Sequence, residues 1–233
     1  METTAFAKRR SVLEAYFDRT ALDAWTQLTS DAPVSRIRAT VRAGRDRMHA
    51  LLLDWLGPDL AGRSVLDAGC GTGTLAVEMA QRGAGVLAID IASNLVEIAR
   101  RRTPPALGGG SIEYRVGDML DPAGGPLDHV VAMDSLIHYD TGDIVAILAS
   151  FAHRARRSIL FTVAPRTPTL AAMHVVGRFF PRGNRAPAIA PAPLDALLRR
   201  IAATEDLKDW RPGRSERVIH GFYMSHALEL VRR

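Results

Sequence analysis

The stretch Val65-Leu66-Asp67-Ala68-Gly69-Cys70-Gly71-Thr72-Gly73 decides the fold of this chain of 233 residues. It reads as a buried strand that ends in a tight glycine turn and opens a helix from Thr72 to Gln81. A second apolar run, Gly85-Val-Leu-Ala-Ile-Asp90, ends in a carboxylate. An acidic residue about 20 positions past the turn is the usual device for holding ribose hydroxyls in a doubly wound sheet. The glycines are spaced G-x-G-x-G, and Thr74 stands where a dinucleotide fingerprint has its third Gly. A ligand that brings a pyrophosphate to the helix N-terminus is therefore disfavoured.

The pattern apolar-apolar-Asp-x-Gly-x-Gly-x-Gly, with Asp67 and Asp90 in register, resembles the first motif of the S-adenosylmethionine-dependent methyltransferases. That cofactor brings an amino acid and a sulfonium, which suits a different backbone contour. The resemblance implies that Asp67, Gly69, Gly71 and Gly73 receive the methionine end, and that Asp90 faces the ribose. In Val116-Gly-Asp-Met-Leu120, Asp118 and Met119 match the motif that meets the adenine. Any one of these carboxylates alone would read as a cap or turn residue. Three at successive strand ends are a sharper coincidence.

Outward from this unit, short strands and helices alternate. Strands are predicted near 64–68, 85–90, 111–116, 127–133 and 157–163, and helices near 72–82, 93–102 and 141–154. Such alternation predicts an α/β, doubly wound, mostly parallel sheet with helices on both faces. Residues 205–214 and 219–231 read as two tightly joined strands, and the resemblance implies that they close the sheet antiparallel. Ahead of the sheet, residues 1–60 read as a helical arm. Ile37, Val41, Met48, Leu51, Leu52 and Trp55 form one stripe at helical spacing, and Gly57-Pro58 ends it. A shorter helix is predicted from Ser11 to about Arg19. The expected division is an arm or lid over 1–60 and a catalytic domain over 61–233. The domain carries an inserted, Pro- and Gly-rich segment at about 165–193 around an apolar helix at Leu170–Phe180.

No apolar run approaches the roughly 18 residues of a spanning helix. The first ten residues lead into no signal-peptide core, and Cys70 is the single cysteine. Both point to the cytoplasm. The net charge of +5 is carried almost wholly by scattered arginines, with Lys8 and Lys208 the only lysines. No compact basic run marks a nucleic-acid surface.

Three further segments narrow the resemblance. They are Tyr16-Phe17-x-x-Thr20-x-x-x-x-Trp25, then Arg38-Ala-Thr-Val-Arg42-x-Gly44-Arg45-x-x-Met48, then Asp134-Ser-Leu-Ile-His-Tyr139. With the closing Gly221-Phe-Tyr-Met-Ser225, they are similar to the magnesium-protoporphyrin O-methyltransferases of bacteriochlorophyll and chlorophyll synthesis. The resemblance implies methyl transfer to a propionate of magnesium protoporphyrin IX, with magnesium entering as part of the substrate and no metal site of the protein's own. It places His138 and Tyr16 at the acceptor; a propionate ionised at neutral pH needs no base, so they read as orienting donors ahead of the alternative role of proton abstraction. Ile91, Met133 and Arg45 join the cofactor set. It also implies handover from the porphyrin-binding subunit of magnesium chelatase. The basic charge and the apolar insertion permit a peripheral membrane contact. Two other readings stay open: a methyltransferase for a quinone or other small acceptor, and a non-catalytic porphyrin-delivery protein.

Overall fold

The computed structural model describes residues 35–121, 125–166 and 189–233, together with Ser11, Tyr16 and Thr29. The chain runs α1 (Arg36–Leu56), β1 (Ser64–Ala68), α2 (Thr74–Gln81), β2 (Gly85–Asp90), α3 (Ser93–Arg102) and β3 (Ser111–Val116). It continues through β4 (Leu127–Ala132), α4 (Thr141–Ala152), β5 (Ala155–Val163), α5 (Leu194–Ala202), β6 (Trp210–His220) and β7 (Tyr223–Arg232). One sheet holds all seven strands in the order β3-β2-β1-β4-β5-β7-β6. The first five pair in parallel; β7 runs antiparallel to β5, and β6 antiparallel to β7. This is the expected doubly wound sheet with an antiparallel closure.

Strand β1 shows why both faces are covered. Leu66 and Ala68 pack on one side with Ile144, Phe151 and Phe161, while Val65 packs on the other with Met48, Leu52 and Met79. Period-2 alternation with apolar residues on both faces is what a parallel strand buried between helices requires. From β1 the chain steps outward to β2 and β3, then returns to the opposite side of β1 for β4. That reversal opens a crevice at the carboxyl ends of β1 and β4, where ligands of open α/β sheets bind.

The expected arm divides differently. Ser35 caps α1 by accepting from the Arg38 N–H at 3.4 Å, and Gly57, at φ 99°, ends the helix. Met48, Leu52 and Leu53 are fully buried, so α1 belongs to the core rather than to a lid outside it. A stripe that apolar cannot be left in water. The shorter helix predicted from Ser11 lies almost wholly outside the described residues, as does the apolar helix at 170–180.

Two other expectations change. The first closing strand begins at Trp210 rather than 205, because Glu205–Leu207 form a single helical turn that buries Leu207. The join falls at Gly221 (φ 57°) and Phe222, beyond the expected break at 215–218. The charged run Arg214-Ser-Glu-Arg217 stays in the strand because β6 is the sheet's edge and most of it is exposed. The ladder shifts register between Pro212 and Ser215, which accommodates Pro212. Helix α5 was not anticipated, although Leu194, Leu197, Leu198 and Ile201 carry the helical spacing and Leu197 and Ile201 are buried.

Candidate active site

The glycine turn is held by the neighbouring strand. The N–H groups of Gly69 and Cys70 both donate to the Ile89 carbonyl, at 2.8 and 3.0 Å. Gly69 sits at φ 83°, and a Cβ there would fall 2.5 Å from Cβ of Ser135. Gly73, at φ 78°, caps α2, and a Cβ there would meet the Tyr114 hydroxyl at 2.6 Å. These two positions need glycine for both conformation and space. Asp90 completes the turn: one carboxylate oxygen accepts from the Gly71 N–H at 2.8 Å, the other from the Ala92 N–H at 2.9 Å.

Above the turn lies a cavity of about 450 Å³. Its volume is within the roughly 300–1,000 Å³ of small-molecule sites. Asp67, Gly69, Gly71, Asp90 and Ile91 line it from β1 and β2. Asp118 and Met119 enter after β3, Met133 and His138 after β4, and Arg45 from α1. Segments more than 90 residues apart in sequence thus converge on one cavity. Gly73 supports the turn from outside the lining. Tyr16 is half-buried, burial raises its hydroxyl pKa, and among the described residues it is not one of those lining the cavity.

The Asp67 carboxylate is the electrostatic centre of this cavity. Only 2 % of the residue is exposed, and one of its oxygens has no hydrogen-bond partner among the described residues. Burial first, and then the charge of Asp90, raise its pKa to about 7, against a hydrogen bond from the Ala76 backbone. An orphaned buried carboxylate oxygen beside a cavity is a receptor for a cationic donor. Cys70 offers no nucleophile. Burial and the charges of Asp67 and Asp90 hold its thiol well above the usual range.

The far wall holds residues whose roles the sequence left unread. Asp134 is at φ 55°, the one positive-φ residue other than glycine among those described. Holding a non-glycine residue there costs about 1–3 kcal/mol. Three side chains secure it: its N–H donates to Thr162 Oγ1 at 2.7 Å, Arg45 Nη1 donates to Oδ2 at 2.9 Å, and the Tyr223 hydroxyl donates to Oδ1 at 3.0 Å. His49, one turn beyond Arg45 on α1, also lines the cavity. Burial, then Arg45 and Arg82, lower its pKa to about 4, so the ring is neutral. Its Nδ1 lies 3.4 Å from the Glu78 carboxylate, and its buried Nε2 has no partner among the described residues. The i, i+4 spacing of Arg45 and His49 on a predicted helix was the available signal.

His138 sits in a single helical turn, Leu136–His138, directly after β4, and is 8 % exposed. The neighbouring Ile137 carbonyl accepts from the Ala190 N–H at 2.8 Å, which ties this turn to the end of the inserted segment. Residues 167–188 of that segment lie outside the described residues.

Two family profiles match the chain: a methyltransferase domain over residues 65–157 and the magnesium-protoporphyrin IX methyltransferase C-terminus over 132–232. The chain is 48 % identical to the magnesium-protoporphyrin O-methyltransferase of Rhodobacter capsulatus, over 96 % of this chain and 97 % of the relative. The crystal structure of magnesium protoporphyrin IX methyltransferase from Synechocystis PCC 6803 with bound SAH superposes with a TM-score of 0.83. That match has 28 % identity and covers 96 % of this chain and all of the other. A ubiquinone biosynthesis O-methyltransferase of Xanthomonas euvesicatoria is 32 % identical over 85 % of this chain and 84 % of its own. The profile over 132–232 takes in the turn that carries His138 and the closing hairpin of β6 and β7. On that match and the full-length identity, the chain belongs to the magnesium-protoporphyrin O-methyltransferase family.

Proposed function

We propose that this chain transfers a methyl group from S-adenosylmethionine to a propionate carboxylate of magnesium protoporphyrin IX, giving the 13-monomethyl ester and S-adenosylhomocysteine. The observation that carries the donor half is the unpartnered, buried Asp67 oxygen in the cavity at the strand-order reversal. The acceptor half rests on membership of the family.

S-adenosylmethionine supplies, when bound, an electrophilic methyl on a sulfonium; the remaining contributions are the chain's. Asp67 is assigned to the methionine ammonium and Arg45 to its carboxylate. The Gly69–Gly73 turn lets the backbone approach closely. Asp90 is assigned to the ribose hydroxyls, Asp118 and the Met119 N–H to the adenine, and Ile91 and Met133 to its apolar surroundings. A carboxylate acceptor, with a pKa near 4, is already ionised at neutral pH and needs no base. The task on that side is desolvation and alignment, which can supply on the order of 7–11 kcal/mol. We assign His138 to orient the propionate, with Tyr16 as its partner from the chain ahead of α1.

The raised pKa of Asp67 gives this reading a pH signature. Below pH 7 its carboxyl is mostly protonated in the free protein, and an ammonium partner favours the ionised form. Cofactor binding must therefore release a proton there. Affinity for S-adenosylhomocysteine should rise as pH increases from 5.5 and level off above about 7. Calorimetry in two buffers of different ionisation enthalpy reads the proton count. A pH-independent affinity with no proton released would remove Asp67 from the ammonium site.

For the chain ahead of α1 we retain the role of a cover. The supporting observation is Thr29, which lines the cavity and receives two hydrogen bonds from Arg102, to its carbonyl and its hydroxyl, both at 3.1 Å. Amide hydrogen exchange over residues 10–34 should slow when S-adenosylhomocysteine binds. Equal exchange in both states would count against a cover.

The test of the whole reading is an assay with methyl-labelled S-adenosylmethionine, offering magnesium protoporphyrin IX, metal-free protoporphyrin or a quinol. Ester formation only with the magnesium porphyrin supports it. Transfer to the quinol alone would replace it, and binding of porphyrin with no labelled product would favour a delivery protein. Handover from the chelatase subunit and a peripheral membrane contact belong to the same reading, supported by the flat, greasy substrate and the net charge of +5. No helix among the described residues is long and apolar enough to cross a membrane. Co-sedimentation with anionic vesicles tests the contact, and a pull-down with the purified subunit tests the handover.

A further inference from the structure

We propose that Asp134 is a positioning residue for Arg45: its carboxylate fixes the guanidinium at the cavity wall, and the left-handed backbone at Asp134 exists to bring that carboxylate there. The inference rests on the reading of the cavity as an S-adenosylmethionine site with Arg45 at the methionine carboxylate.

The geometry is over-determined. Asp134 has a side chain 6 % exposed, and it too lines the cavity. One of its oxygens takes Arg45 Nη1 and the other takes the Tyr223 hydroxyl, so the carboxylate is held from two sides. Tyr223 is pinned in turn. Its ring lies against the α1 backbone at Gly44, where a Cβ would fall 2.5 Å from Cβ of Tyr223. The Asp134 N–H is taken by Thr162 of β5. Helix α1, the end of β4, β5 and the first residue of β7 therefore meet at one carboxylate.

A turn that needed only this backbone shape would be served by glycine, which adopts positive φ without strain. An aspartate held there instead points to a use for the carboxylate. Arginine samples many rotamers, and a ligand must freeze them when it binds. A planar guanidinium already anchored at one nitrogen is ordered in advance, and its fork geometry then sets the direction of approach for a ligand carboxylate.

The test is a double-mutant cycle on S-adenosylhomocysteine affinity, read by calorimetry. Asp134→Asn keeps the shape and tolerates positive φ. Asp134→Gly relieves the backbone strain and removes both acceptors, so the turn can still form while the anchor is lost. Each is expected to weaken binding about 10- to 100-fold in the parent protein, the loss expected for a charge-assisted contact. In an Arg45→Gln background, each should change affinity by less than about twofold, because the effect runs through Arg45. A role confined to holding the fold would shift the melting temperature equally in both backgrounds and leave no coupling in affinity. Unchanged affinity in both folded variants, or the same loss in both backgrounds, overturns the proposal. A parent protein that binds no S-adenosylhomocysteine would instead overturn the cofactor reading beneath it.

Discussion

Replacing Asp90 with alanine should weaken S-adenosylhomocysteine binding on the order of 100-fold or more, because under the proposed assignment two charge-assisted acceptors for ribose hydroxyls go together. The structure enlarges the effect expected from the ribose alone. The same two oxygens hold the N–H groups of Gly71 and Ala92, so the alanine variant also loosens the glycine turn and the entry to α3. Asp90→Asn separates these contributions, since an amide keeps one acceptor oxygen and loses the charge. It should bind more tightly than the alanine variant and less tightly than the parent. Calorimetric titration gives both constants, and circular dichroism checks that each protein is folded. A folded Asp90→Ala protein with the parental dissociation constant would refute the ribose assignment.

The other large effect is expected at His138. Alanine there should lower turnover by roughly 10²–10³, the loss typical of removing a donor whose interaction tightens in the transition state. Cofactor affinity should stay near the parental value, because His138 reaches the cavity from the turn after β4 and is not among the groups assigned to the cofactor. Tyr16→Phe is the informative companion. Tyr16 is half-buried but not among the described residues that line the cavity, so a comparable loss would mean that it reaches the acceptor only in the liganded protein. The pH profile separates orientation from proton abstraction. A base makes the rate collapse below its own pKa, whereas a donor serving an ionised carboxylate need not. Parental turnover in His138→Ala would take the residue out of the site.

The side of the cavity built by the glycine turn was legible because its determinants are local. The β1–turn–α2–β2 unit spans 27 residues from Ser64 to Asp90, and its glycines, strand pattern and terminal carboxylate each constrain the same backbone path. The far wall was not legible because its determinants are remote. Asp134 lies 89 residues from Arg45 and 89 from Tyr223, so its ion pair and hydrogen bond follow from the strand order, which periodicity does not supply. The motif Asp134-Ser-Leu-Ile-His-Tyr139 drew attention to His138, while its first residue carries more of the described contacts. The packing of α1 was not legible for a related reason. An apolar stripe shows that α1 buries one face, but only tertiary packing decides whether it does so against the core or over a ligand.

Strand β6 has a consequence for how two copies of this protein can meet. A sheet edge left with a row of unpaired N–H and C=O groups is a template on which another chain can extend the ladder, and such growth has no natural end. Here Pro212 lacks one of those N–H groups, the irregularity beside it breaks the row, and the exposed Arg211, Glu216 and Arg217 set charges along the strand. These features work against strand-by-strand polymerisation from this side and leave side chains as the means of self-association through it.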